Sequence, residues 1–184
     1  MRRQRFRFYA LKLCFWMFVI FFVQLFISGF TELFLLDANA LSQFWRFFTA
    51  IFLHGGFAHL LYNVFALALF GSIFERFVGG RRFLIVFFVT GVLANIFSVN
   101  FYDSSLGASG AIFGIIGALI VVRPWMIVWA FGLPMPLILA GVLWAVGDAI
   151  GIFMPSNIAN LAHLSGMFFG LIFGALYRKK SLRV

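Results

Sequence analysis

Six long apolar stretches alternate with short polar ones along this chain, at about 11–30, 58–76, 83–101, 109–122, 135–152 and 159–177. A helix needs about 20 apolar residues to cross the hydrocarbon of a bilayer, and fewer where neighbouring protein shields its ends. Each stretch therefore predicts a membrane-spanning helix. The first follows basic residues, but it is too long for a signal peptide and lacks a small-residue cleavage site, so a retained anchor is expected. The segment 31–57 breaks the rhythm, with Glu32, Asp37, Trp45, Arg46 and His54 set among many apolar residues. It is too polar to span and too apolar to be a free loop, which puts it on or partly in the outer leaflet. The connection 124–134 carries Trp125 and Trp129 ahead of Pro134 and Pro136, and is expected to lie at the inner interface on aromatic anchors. The expected fold is all-α: one polytopic membrane domain over 1–184, with six transmembrane helices, a membrane-associated first outer loop and short basic tails.

Composition supports that class. The chain is 64% hydrophobic and 10% charged, against roughly 25% charged in soluble domains. Its 29 phenylalanines could not all be buried in a soluble core of 184 residues. A net charge of +9 raises the question of nucleic acid, and the placement of the charges answers it. Basic residues cluster at Arg2, Arg3, Arg5, Arg7 and Lys12, at Arg76, Arg81 and Arg82, at Arg123, and at Arg178, Lys179, Lys180 and Arg183. These groups fall at alternate ends of successive apolar stretches, the pattern of a protein with both termini in the cytoplasm. The expected surroundings are the lipid bilayer of the cell membrane, with no nucleic-acid partner; the sequence carries no signal for an oligomeric state. Cys14 is the single cysteine, which excludes a disulfide framework and a thiolate metal cluster. Neither a metal nor a cofactor is called for.

The basic clusters also serve as a ruler for depth. Ser109 precedes Arg123 by 14 residues and His163 precedes Arg178 by 15. At about 1.5 Å per residue they lie roughly 21 and 22 Å above the inner boundary. Asn63 and His59, counted back from Arg76, come out at about 20 and 25 Å. Four polar side chains thus converge on one level, below the outer surface of a core about 30 Å thick. Glycines argue for lateral proximity. Gly110, Gly114 and Gly117 on the fourth span face a similar series, Gly166, Gly170 and Gly174, on the sixth. Small residues four apart let helix backbones approach closely in lipid. His163 shares the glycine face of its helix, and Ser109 borders the glycine face of its own.

Polar side chains inside a bilayer are costly, and their default reading is functional. Taken alone, a serine between glycines is a packing residue, and His59 and Asn63 could simply join helices by hydrogen bonds. Together the four suggest nucleophilic chemistry. Histidine has the right basicity to take a serine proton near neutrality. The Ser109 backbone N–H and the Asn63 and His59 side chains are candidate donors to an oxyanion. No carboxylate is placed at that depth to orient His163. Glu75 is cytoplasmic, Asp103 is in an outer loop, and Asp148 near the outer end of the fifth span is the sole possible exception. A Ser–His dyad is therefore favoured over a triad. His54 reads as a structural tie between the outer loop and the helices, Trp45 and Arg46 as anchors of that loop at headgroup level, and Glu75 with Arg76 as a structural pair at a helix end.

From residue 45 to 170 these features resemble the rhomboid family of intramembrane serine proteases. The resemblance rests on Trp45-Arg46, His54, the His59-to-Asn63 spacing, Gly71 to Glu75-Arg76, Gly107-Ala108-Ser109-Gly110, and Ala162-His163-Leu164-Ser165-Gly166 followed by Gly170. Any one is weak, while the ordered set is specific. The resemblance implies Ser109 as nucleophile, His163 as general base, His59 and Asn63 at the oxyanion, and single-span membrane proteins cut near the outer end of their helices. Phe113 departs from the tyrosine that some members carry four residues after the serine. It keeps a stacking surface for His163 and loses the hydroxyl. Two rivals are a catalytically inactive relative that binds membrane proteins, and a small transporter. Inactive relatives typically lose the serine or the histidine, both present here. A transporter predicts ionisable groups spread through the bilayer and often an inverted repeat, neither of which is visible.

Overall fold

The structure, a computed structural model, describes residues 6–154 and 158–181, the last three by backbone alone. Arg2, Arg3, Arg5 and Arg183, and the side chains of Lys179 and Lys180, all part of the charge pattern, lie outside that description. The six apolar stretches are all helical in large part. Helix α1 runs Tyr9–Phe26 and ends before Gly29, whose φ of 80° turns the chain into the short α2, Phe30–Phe34. Next come strand β1 (Leu36–Asp37), a 3-10 turn at Ala38–Leu41, and α3 (Arg46–Thr49). The second span is α4 (Phe57–Ala66), a π-helical turn at Leu67–Gly71, and α5 (Ser72–Val78). Helix α6 covers Gly80–Ser98, and β2 (Ser104–Ser105) pairs antiparallel with β1. Helix α7 covers Ser109–Val122, α8 Leu137–Gly151 and α9 Asn160–Ser181. Among the described residues four helical segments are long and apolar enough to cross a membrane, beginning at Tyr9, Phe57, Gly80 and Asn160; α7 and α8 are apolar but shorter. The chain is thus a predominantly helical membrane protein.

Two departures from an all-α fold stand out. One is the two-residue β1–β2 pair, which ties the 31–57 segment to the loop ahead of α7. The other is a hairpin of β3 (Ile127–Ala130) and β4 (Leu133–Pro136), within the stretch expected as an interfacial connection. Its turn, Phe131-Gly132, has φ of 54° and 77°, the left-handed conformation at both central residues that matches the twist of paired strands. The strand also takes Pro134 and Pro136, so the fifth helix begins at Leu137 rather than at 135. Trp125 and Trp129 are exposed, as anchors would be.

Helix α7 is the axis of the bundle. Of its 14 residues, Gly110–Ile112 and Gly114–Leu119 are all buried, so it is enclosed on nearly every side. A Cβ on Gly166 would overlap the carbonyl oxygen of Gly110, one on Gly170 that of Gly114, and one on Gly174 would lie 2.7 Å from Ala118 O. The α7 and α9 backbones therefore touch along three turns, running in the same direction. Helix α6 packs antiparallel on another side, with Thr90 against Gly114 and Ala94 against Gly110. At the opposite end from Ser109, Arg76 lies over Phe6 (4.9 Å), Arg123 over Phe77 (4.4 Å) and Arg82 over Tyr177 (5.3 Å). These cation–π contacts join five helix ends into one basic and aromatic level.

Two charged residues do other work than expected. Arg46 is buried rather than reaching toward headgroups. Its guanidinium donates to Glu32 O (2.8 Å), Leu35 O (2.9 Å) and Gln43 Oε1 (2.7 Å), and lies 3.5 Å from Asp37. A planar fork of donors suits several carbonyls at once, so Arg46 organises the 31–57 segment from within; Trp45 beside it stays exposed. Glu75, also buried, does not pair with Arg76. Its carboxylate accepts the N–H groups of Arg7 (3.1 Å) and Ala10 (3.2 Å), at the start of α1. That is where a helix has unpaired donors and favours negative charge.

Candidate active site

Ser109 is the first residue of α7, at the end of a tight approach. Gly107 has φ of 123°, and its N–H donates to Ala50 O (2.9 Å). A Cβ there would come within 2.7 Å of His59 Cε1, so only glycine lets the His59 ring lie against the chain just before the serine. Asn63, one turn along α4 and buried, turns its amide to donate to His59 O (2.9 Å), and the same Nδ2 comes within 3.9 Å of that Gly107 position. By helix geometry the first N–H groups of α7 have no intrahelical acceptor and point outward past Ser109. This gives a cluster of donors around one partly exposed hydroxyl.

His163 enters from α9, positioned by the glycine seam. Its ring stacks on Phe113 with centroids 4.3 Å apart and planes 6° from parallel. Phe113 is one turn after Ser109, and residues four apart share a helix face. The imidazole therefore lies on the Ser109 side of α7. Among the described residues no hydrogen bond joins Ser109 Oγ to His163. Such bonds are often long in a free enzyme and tighten with substrate.

His54 is buried and ties the 31–57 segment to α1. Its N–H donates to Gln24 Oε1 (3.0 Å), while Gln24 Nε2 donates back to His54 O (3.2 Å). Burial, with His59 nearby, pushes the His54 imidazole down to about 4. Gln24 was not singled out in the sequence, where one polar residue in an apolar run gives no hint of its partner.

One further residue reaches the site. Asp148 Oδ1 lies 3.0 Å from His163 Nδ1, with both side chains nearly buried. The one carboxylate that the sequence left as a possible exception is therefore the one beside His163. Helix α8 carries no basic residue at its inner end, so the charge ruler had nothing from which to measure Asp148.

A helical membrane protein with a partly exposed serine at a helix start and histidines from two neighbouring helices defines a narrow class. The family model of the Rhomboid domain matches residues 41–180. The chain is 36% identical over 140 residues to Rhomboid protease GluP of Bacillus subtilis (strain 168), covering 74% of this chain and 26% of that protein. It is 35% identical over 147 residues to YdcA of the same organism, provisionally named a rhomboid protease, covering 77% of this chain and 71% of YdcA. RHOMBOID-like protein 7 of Arabidopsis thaliana is 32% identical over 136 residues, 73% of this chain and 43% of that one. This chain belongs to the rhomboid family.

Proposed function

We infer that the chain is an intramembrane serine endopeptidase acting on the transmembrane helices of other membrane proteins. The observation that carries this reading is the His163 ring stacked on Phe113, one helical turn from Ser109, with His59 and Asn63 against Gly107 on the other side. In this reading Ser109 Oγ attacks the scissile carbonyl carbon as its proton passes to His163. The carbonyl electrons move to oxygen, which is held by the Ser109 N–H, Asn63 and His59. Collapse breaks the C–N bond, His163 gives its proton to the leaving nitrogen, and an ester on Ser109 remains. Water then attacks that ester by the same route in reverse.

Helix α7 has 14 residues, about 21 Å at 1.5 Å per residue, shorter than the hydrocarbon core of about 30 Å. With its inner end on the basic and aromatic level, Ser109 sits below the outer surface yet within reach of water. All six apolar helices span, both termini face the cytoplasm, and the site opens outward from the cell membrane, meeting substrates near the outer end of their helices. A fluorophosphonate probe tests the nucleophile. Peptide mapping finds the adduct on Ser109 and none in Ser109→Ala; an adduct on another serine that persists in Ser109→Ala contradicts the assignment.

A further inference from the structure

We propose that Asp148 is a positioning residue for His163, so that the protease works through a Ser–His–Asp relay spread over α7, α9 and α8. The inference rests on the protease reading above and goes beyond its two-residue chemistry. Three observations carry it. First, Asp148 Oδ1 and His163 Nδ1 are 3.0 Å apart, and an ionised carboxylate can only accept a hydrogen bond. The proton of the neutral imidazole is therefore held on Nδ1, leaving the Nε2 lone pair, on the opposite edge of the ring, free to take a proton from serine.

Second, the carboxylate is a costly way to fasten a helix. Asp148 is the single charged residue of α8 and the only buried side chain in that helix beyond Gly141. Its other oxygen, Oδ2, is buried without a hydrogen-bond partner among the described residues. An apolar residue would pack this contact without burying a charge. The carboxylate is best compensated when His163 is an imidazolium, the state formed between proton uptake from serine and delivery to the leaving nitrogen. An interaction that strengthens along the reaction lowers the barrier, whereas one that is uniform does not.

Third, stacking on Phe113 fixes the plane of the imidazole but not which edge faces Ser109, because a half-turn about Cβ–Cγ keeps the same plane. The bond to Asp148 makes that choice. Ring plane and ring rotation are thus set by two different helices. In this role Asp148 accepts a hydrogen bond and transfers no proton.

The test uses the full chain in detergent micelles or nanodiscs. Selective 15N labelling of the three histidines, with His163 identified by the signal lost in His163→Ala, reads the tautomer. Wild-type protein shows a protonated Nδ1 and an unprotonated Nε2. A dominant Nε2–H tautomer overturns the proposal before any variant at position 148 is made. In Asp148→Asn the tautomer preference is lost, and kcat for a reporter transmembrane helix falls about 10²- to 10⁴-fold while KM stays within about twofold. Asp148→Glu, which keeps the carboxylate, retains at least about tenfold more activity than Asp148→Asn. A kcat for Asp148→Asn within about threefold of wild type overturns the proposal, as does a fall in kcat with the tautomer unchanged. If wild-type protein shows no cleavage that depends on Ser109, the protease reading fails instead, and the tautomer of His163 still decides whether Asp148 orients it.

Discussion

Helices α7 and α8 both pack beside α9, and they are held in opposite ways. The α7–α9 seam is backbone against backbone: Gly166 and Gly170 leave no room for a methyl group against the carbonyls of Gly110 and Gly114. Helix α8 buries Leu137, Ala140 and Gly141 at its start, then exposes Val142, Leu143, Val146 and Ile150. Beyond Gly141 its one buried side chain is Asp148. Dispersion in a close-packed seam is summed over many atom pairs and tolerates no displacement, while a single hydrogen bond can break and re-form. Ser109 and His163 thus stand on the close-packed pair, while α8 reaches His163 through the carboxylate of Asp148.

Glycine substitution breaks this comparison most sharply. Gly170→Ala forces α9 away from the α7 backbone and is expected to destabilise the protein by about 3 kcal/mol or more, read as a lowered thermal midpoint in detergent; an unchanged midpoint means the seam is looser than described. The 31–57 segment provides a reference unrelated to either helix. His54 is held near 4 in the folded protein against 6.5 for a free imidazole, so the unfolded chain takes up its proton first as pH falls. Stability is then full above pH 6.5, declines between 6.5 and 4, and loses about 2 kcal/mol by pH 5. His54→Gln should flatten that decline, and a slope identical to wild type would refute it. Phe113→Ala removes the surface beneath His163 without touching the seam. It should lower kcat about tenfold with KM within about twofold, whereas Phe113→Tyr stays close to wild type; equal kcat for wild type and Phe113→Ala means that stacking does not orient the base. The smallest effect is expected on α8. A Cβ on Gly147 meets nothing within 4 Å, so Gly147→Ala is neutral or stabilises by up to about 1 kcal/mol through helix propensity. The same chemical change should therefore have opposite signs on the two helices.

Much of this was legible in the sequence because lipid imposes simple rules. Apolar length marked the helices, the fourth to the residue at Ser109–Val122. Glycine spacing identified the seam, and the charge ruler brought Ser109, His163, His59 and Asn63 to one region. What stayed hidden depends on contacts distant in sequence. Arg46 is a surface residue by composition, and its carbonyl partners at 32 and 35 are visible only once the loop has folded around it. Glu75 and Arg76 are adjacent, which suggested a pair, yet the carboxylate serves α1 across the bundle. The hairpin at 127–136 was masked because Pro134 and Pro136 argue against a strand unless it lies at an edge.

The central claim is that Ser109 and His163 together cut a peptide bond within a membrane helix. Purified protein in liposomes, incubated with a reporter transmembrane helix, tests it most directly. Wild-type protein should release a fragment whose new amino terminus maps near the outer end of the helix, and Ser109→Ala and His163→Ala should each abolish its release. Cleavage that persists in either folded variant would contradict the account.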